Sequence, residues 1–166
     1  IQWSRSERAA LSYGYGLSVT AVQLASAYTA LANNGERLPP SLLRLSEPPQ
    51  GIPAIEPSVA NDLLEILETS VGAYTGGRRA RVEGYRVGGK TGTVRKTGQQ
   101  GYANDAYRSV FAGIAPISDP RIVTVVMIDY PKAGEFYGGA VAAPVFSSVT
   151  GNALRLLDVP PDYEVE

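Results

Sequence analysis

Histidine and cysteine are both absent from the 166 residues. Without histidine the chain lacks the commonest general base and the commonest metal ligand. Without cysteine it has no thiol nucleophile, no thiolate metal site and no disulfide. Acid–base chemistry therefore falls to Lys, Asp, Glu or Tyr. Net charge is nearly absent too: 15 Lys and Arg against 16 Asp and Glu leave −1. That balance argues against nucleic-acid binding by bulk charge and against a polybasic membrane-surface role. Long apolar runs are missing as well. Ile122–Ile128 is about one third of the ~20 residues that a spanning helix needs. The opening residues 1–8 carry no signal-peptide pattern and no initiator Met, and the chain is expected to be a stretch of something longer.

What is present is a globular composition with many turns. Apolar residues make up 44%, punctuated by 18 Gly and 12 Pro, and a chain of this length buries roughly 68–70% of its unfolded surface. Thr20-Ala21-Val22-Gln23 fits a capping box. Val22, Leu24, Ala25, Tyr28, Leu31 and Ala32 recur at helical spacing, and Asn33-Asn34-Gly35 supplies a left-handed stop. Leu38–Pro57 carries six prolines and reads as an extended surface connector. A second helix is expected from Pro57 to Gly72, with Val59, Leu63, Ile66 and Leu67 as its apolar stripe. A third is expected over Ala143–Leu157, through Phe146, Val149, Ala153, Leu156 and Leu157, with Pro144 in its first turn. Between them Tyr107–Ala115 and Ile122–Ile128 read as an antiparallel hairpin turned at Pro116–Pro120. The expected fold class is α+β, an antiparallel sheet flanked by helices.

Two motif matches fail on their context. Gly84-Tyr85-Arg86-Val87-Gly88-Gly89-Lys90-Thr91 has the spacing of a phosphate-cradling loop, which requires a buried strand before it and a helix after it. The preceding Arg78–Glu83 is charged, and the subsequent Gly92–Gly98 combines glycines with β-branched residues that oppose a helix. A nucleotide role is therefore rejected. Thr93-Val94-Arg95-Lys96 has the spacing of a nucleophile with its lysine, yet residues three apart face opposite sides of a strand.

Lys90-Thr91-Gly92-Thr93 has another use on a strand bordering a cleft. Thr91 and Thr93 then share one face and offer hydroxyls, Lys90 offers a cation, and Gly92 leaves the backbone approachable. Such an edge can pair with an extended peptide, hold a carboxylate, and aim the Thr93 N–H at a developing oxyanion, an interaction worth roughly 3–4 kcal/mol in acyl transfer. A solvated edge strand is the bland alternative for the triplet by itself.

The rest of the chain bears on that choice. Ser12–Thr20, Gln23-Leu24-Ala25, Ala27-Tyr28 and Ala30-Leu31-Ala32-Asn33 resemble the helix-start signature of class B penicillin-binding proteins. Lys-Thr-Gly is the third box of that family. Ala106–Pro116, Asp119-Pro120-Arg121-Ile122, Gly138-Gly139, Ala143–Ser147 and Ala153–Asp162 extend the resemblance over nearly the whole chain, to the division-specific type of Gram-negative bacteria.

The resemblance implies a peptidoglycan D,D-transpeptidase of septal wall synthesis. A serine attacks the D-Ala-D-Ala end of a stem peptide, D-Ala leaves, and an amine of a neighbouring stem peptide takes the acyl group; β-lactams stall at the acyl-enzyme. No cofactor is implied. Serine and lysine chemistry needs no histidine. By motif position Lys90, Thr91, Gly92 and Thr93 line the catalytic cleft, and Thr91, Thr93, Arg95, Tyr102, Phe136, Tyr137 and Gly138 bind ligand. Arg95 otherwise reads as a solvated charge, and Tyr102, in a Gly101–Asp105 loop, as a loop anchor. The Phe136-Tyr137 order reverses that of familiar members and leaves open which ring faces the ligand. The nucleophile's S-x-x-K box and the S-x-N box begin at no Ser of this chain, and in the family both precede the Ser12 stretch. Residues 1–166 are thus expected to be the C-terminal portion of a transpeptidase domain, inactive alone and partnered by the upstream part of that domain. Implied further are an N-terminal membrane anchor outside the chain, a place at the periplasmic face of the inner membrane, and divisome membrane proteins as partners, with no nucleic acid. Two alternatives stay open: a serine β-lactamase or D,D-carboxypeptidase relative, and a non-catalytic peptide-binding or divisome-interaction module.

Overall fold

A computed structural model describes residues 3–98, 101–132 and 134–163; the side chains of residues 97, 98 and 101–105 lie outside the described set. Helix α1, Arg5–Ser12, is opened by a capping box in which Glu7 N–H donates to Ser4 Oγ (3.2 Å) and Ser4 N–H donates to Glu7 Oε2 (2.7 Å). Helix α2, Ala21–Ala32, has the capping box expected from its sequence: Gln23 N–H donates to Thr20 Oγ1 and Thr20 N–H to Gln23 Oε1. The proline-rich connector holds only a two-residue ladder, β1 (Glu36–Arg37) with β2 (Ile52–Pro53). Helix α3 is Pro57–Thr69, and a 3-10 turn comes next at Arg78–Ala80. Strands β3 (Gly88–Gly98), β4 (Gly101–Ala115) and β5 (Ile122–Asp129) form an antiparallel sheet in the order β3-β4-β5. A four-residue helix α4, Gly138–Val141, precedes α5, Ala143–Leu156.

The sheet separates two apolar clusters. On the face of Phe111 and Ala115 lie Val71, Val82, Val87, Ala143, Phe146, Leu154 and Val159, and the rings of Phe111 and Phe146 meet at 4.7 Å. On the face of Ile114 lie Leu64 and Ile117, covered by Tyr28, Leu31, Ala32 and Val123. Period-two alternation along β4 thus sends odd residues toward α5 and even residues toward α2 and α3. The α+β arrangement holds, with helices on both faces of an antiparallel sheet.

Three helix stripes differ from the sequence expectation. In α3 the buried residues are Ala60 and Leu64, whereas Val59, Leu63 and Ile66 are exposed. In α5 they are Ala143, Phe146, Thr150, Gly151 and Leu154, and Val149 and Leu156 point outward. In α2 Val22 is exposed, while buried Ser26 donates to Leu38 O (3.2 Å) and accepts from Arg37 Nη1 (3.3 Å). The small residues Ala60, Gly151 and Ser26 take the inward positions because they let the backbone approach its neighbours, and side-chain size in the sequence pointed the other way. Strand β4 also begins earlier than expected, since it must span β3 as well as β5. Residues 101–105 are therefore strand rather than loop, with Tyr102 opposite Thr97.

Candidate active site

The site is built on β3, which among the described residues is an edge strand paired with β4 alone. Lys90 lies opposite Ala112, Thr91 opposite Phe111, Gly92 opposite Val110 and Thr93 opposite Ser109. Thr91, Thr93 and Arg95 share a face, each about 7 Å along from the last by strand rise. The chain continues beyond Lys90-Thr91 as strand and not as helix, so the phosphate-loop match is chance. Gly84, its first glycine, is tied up by the C-terminal segment: Asp162 N–H and Tyr163 N–H both donate to its carbonyl at 3.1 Å. Lys96 likewise serves no nucleophile. The ladder slips between Arg95 and Thr97, and Lys96 Nζ reaches Asp129 Oδ2 at 2.9 Å while lying 3.9 Å from the centroid of the Tyr130 ring.

The segment 136–138 is clamped onto this face at two points. Gly138 N–H donates to Thr93 Oγ1 (3.0 Å), and the buried Ser109 hydroxyl donates to the Phe136 carbonyl. The approach is close enough to require glycine. A Cβ on Gly138 would lie 2.5 Å from Gly92 O and nearer still to Val110 O, and one on Gly139 would run into Gly76 O. Phe136 stacks flat on Tyr107, with centroids 4.0 Å apart and planes at 12°. Tyr137 remains 61% exposed. It lines a cleft of about 360 Å³ together with Thr75, Arg78, Arg79, Thr91, Thr93, Gly138 and Gly139. Between the two aromatics it is thus Tyr137 that faces the cleft, and Phe136 that supports it from behind at 4.5 Å.

The hydroxyls of Thr91 and Thr93 are poised as donors. A threonine oxygen accepts through its lone pairs and donates through one O–H. Thr93 Oγ1 already accepts from Gly138 N–H, and Thr91 Oγ1 accepts from Lys90 Nζ (3.4 Å), which also reaches Thr91 O (3.2 Å). Each hydroxyl is therefore polarised and has its proton left for an outside acceptor. Two neighbouring O–H donors with two guanidiniums nearby suit an anion.

The chain as a whole is similar to solved and curated proteins. The chain matches the model of the penicillin binding protein transpeptidase domain over residues 1–151. The chain belongs to this family.

Among the family's members, a probable peptidoglycan D,D-transpeptidase PbpC of Pseudomonas aeruginosa is 45% identical over 161 residues, covering 97% of this chain and 28% of the relative. The peptidoglycan D,D-transpeptidase FtsI of Escherichia coli K12 is 40% identical over 161 residues, covering 97% and 27%. The apo transpeptidase domain of Burkholderia pseudomallei penicillin-binding protein 3 superposes with a TM-score of 0.90 at 44% identity, covering 98% of this chain and 50% of that domain. The chain thus spans half of that solved domain and little more than a quarter of these two curated relatives.

Of the residues expected to bind ligand, the structure brings Thr91, Thr93, Tyr137 and Gly138 together at one cleft. Lys90 and Arg95 are exposed on the same strand, Lys90 directed along it to Thr91. The Tyr102 side chain lies outside the described residues. Sequence reasoning missed Thr75, Arg78 and Arg79, which lie on the loop and 3-10 turn ahead of β3 and not on the strand itself. The signal was the glycine-rich stretch Gly72–Gly77, whose carbonyl at Gly76 packs against Gly139. A larger cavity of about 510 Å³ is lined by Glu68, Tyr85, Arg86 and Tyr163. Arg86 and Glu68 there are committed to each other, Arg86 Nε and Nη2 donating to Glu68 Oε1 (2.8 Å) and Oε2 (2.7 Å), and the expected site residues line the smaller cleft instead.

Proposed function

We propose that residues 1–166 are the C-terminal portion of a D,D-transpeptidase domain of peptidoglycan synthesis and form one wall of its cleft. The Thr91 and Thr93 hydroxyls receive the terminal carboxylate of a D-Ala-D-Ala stem peptide, and the unpaired edge of β3 takes the peptide backbone as an added strand. A serine from the upstream part of the domain attacks the penultimate carbonyl, with the Thr93 N–H facing the oxyanion. Serine's bond to the carbonyl forms, the D-Ala amine leaves with a proton, and a second stem peptide's amine later displaces the serine oxygen. Lys90 keeps a positive charge beside the reacting groups, Tyr137 closes the cleft, and Arg95 meets anionic parts of the ligand. β-Lactams occupy the same place as acylating mimics of the donor.

The observation that carries this reading is the pair of polarised threonine donors on an open strand edge beside Tyr137. The names of the relatives support the chemistry, and the FtsI name supports a septal role. Action at the periplasmic face of the inner membrane, beside division proteins and through an anchor outside this chain, completes the proposal. The test is a denaturing intact-mass spectrum before and after a β-lactam, on this chain alone and on this chain paired with the upstream half. Expected is an adduct on the upstream polypeptide in the paired sample and none on the lone chain. An adduct on the lone chain, or no adduct in a folded pair, overturns the assignment.

A further inference from the structure

The proposed acyl transfer leaves the hydroxyl of Ser109 without a role. Ser109 is fully buried on β4, directly opposite Thr93 in the β3–β4 ladder. Residues opposite each other in an antiparallel pair share a face of the sheet, so Ser109 lies under the same segment 136–138 that Thr93 touches. Its one proton goes to the Phe136 carbonyl. None is left for a substrate, and burial keeps the oxygen from acting as a nucleophile. On the same face of β4, Tyr107 stacks on the Phe136 ring with centroids 4.0 Å apart. The far end of the segment is held by Thr93 itself, whose Oγ1 accepts from Gly138 N–H (3.0 Å). One cross-strand pair thus holds both ends of Phe136–Gly138, Ser109 through a carbonyl and Thr93 through an amide.

We propose that Ser109 is a positioning residue for the transfer: it holds Phe136–Gly138 where Gly138 N–H meets Thr93 Oγ1, and so sets the direction of the Thr93 O–H. The inference deepens the proposed function and rests on its assignment of that O–H to the terminal carboxylate. A hydroxyl oxygen has two lone pairs and one proton. With one lone pair engaged by Gly138 N–H, the proton is confined to the remaining directions, and a carboxylate in the cleft that Thr93 lines can take it. Without the Ser109 hydroxyl the Phe136 carbonyl loses its donor, and the segment moves to find another. Thr93 Oγ1 then loses its fixed partner. A donor that must be oriented at each encounter holds its acceptor more weakly than one oriented beforehand.

The experiment measures the β-lactam acylation rate and Tm of this chain paired with the upstream half of its domain. The variants are Ser109→Ala, Ser109→Cys, Thr93→Val, the double Ser109→Ala/Thr93→Val, and Thr150→Val. Thr150 is the control, a fully buried hydroxyl bonded to Thr124 Oγ1 at 3.0 Å and outside the cleft. Loss of one hydrogen bond predicts acylation slower by about three- to tenfold in Ser109→Ala. Ser109→Cys restores part of the rate, because S–H is a weak donor. Thr150→Val lowers Tm to a similar degree and leaves the rate within about twofold of the wild type. Since Ser109 acts through Thr93, the two losses do not multiply, and the double variant acylates within about twofold of Thr93→Val. Suppose Thr93→Val slows acylation but Ser109→Ala does not, or the two losses multiply in full, or Thr150→Val slows it equally. Then the positioning role is wrong and the carboxylate reading stands. If Thr93→Val acylates at the wild-type rate, the carboxylate reading of Thr93 falls, and the role of Ser109 falls with it. Where Ser109→Ala does not fold, Ser109→Cys decides in its place.

Discussion

Gly138→Ala probes the contact on which the cleft geometry depends. The new Cβ would lie 2.5 Å from Gly92 O and 3.2 Å from Gly92 N, with Val110 O closer than either. All three are backbone atoms of paired strands, so neither side can yield by rotating a side chain. The segment 136–141 must lift from the sheet, which removes the Gly138 N–H to Thr93 bond. Overpacking of this kind costs about 1–3 kcal/mol, and a lost hydrogen bond costs about 0.5–1.5 kcal/mol more. A combined loss of about 1.5–4.5 kcal/mol corresponds to a fall in Tm of roughly 3–18 °C for a chain of this size. The control is Gly76→Ala, whose Cβ would meet nothing within 4 Å and which should leave stability within about 1 kcal/mol of the wild type. Urea denaturation and thermal melting of the two variants make the comparison. Equal stability of Gly138→Ala and wild type would refute the claim that α4 is seated on the β3–β4 backbone.

Phe111→Ala removes a fully buried ring that meets Phe146 at 4.7 Å, and should cost about 3–5 kcal/mol by urea denaturation. Tyr85→Phe leaves the buried Val159 carbonyl without the hydroxyl that donates to it at 2.7 Å, and should cost about 1–2 kcal/mol in the same assay. Asp129 is held below the ordinary aspartate range by its hydrogen bond to Lys96, with a smaller contribution from Arg108. Because its folded value is depressed, its contribution to stability is present above the ordinary range and is lost as pH falls through the lowered value. The Tm gap between wild type and Asp129→Asn should therefore narrow from pH 7 toward pH 2; a constant gap would show that the charge pair is not its source.

Much of the fold was legible because it is written in local chemistry. Thr20 and Gln23 announce a capping box that forms as expected, and Pro57 and Pro144 open their helices. The strand-like runs Tyr107–Ala115 and Ile122–Ile128, with a turn at Pro116–Pro120, mark the hairpin that forms. The inward faces of α3 and α5 were not legible, because each helix carries apolar residues on two sides and Ala60 or Gly151 competes with larger neighbours by shape alone. Helix α1 went unread although Ser4 and Glu7 form a capping box, since the eight residues it heads bury nothing. At the cleft, Thr91 and Thr93 were readable from strand periodicity. The division of labour between Phe136 and Tyr137 was not, as it depends on Tyr107 across the sheet. Arg78 and Arg79 could not be found by spacing, because the loop carrying them reaches the site through a backbone contact between Gly76 and Gly139.

The most direct test of the central claim is the rate of β-lactam acylation in this chain paired with the upstream half of the domain, compared with the same pair carrying Thr91→Val. Loss of one hydrogen bond to a charged group costs about 1.5–3 kcal/mol, so acylation should slow by roughly tenfold or more while Tm stays within a few degrees. An unchanged acylation rate in a folded variant would contradict the assignment of the β3 threonines as the carboxylate-binding wall.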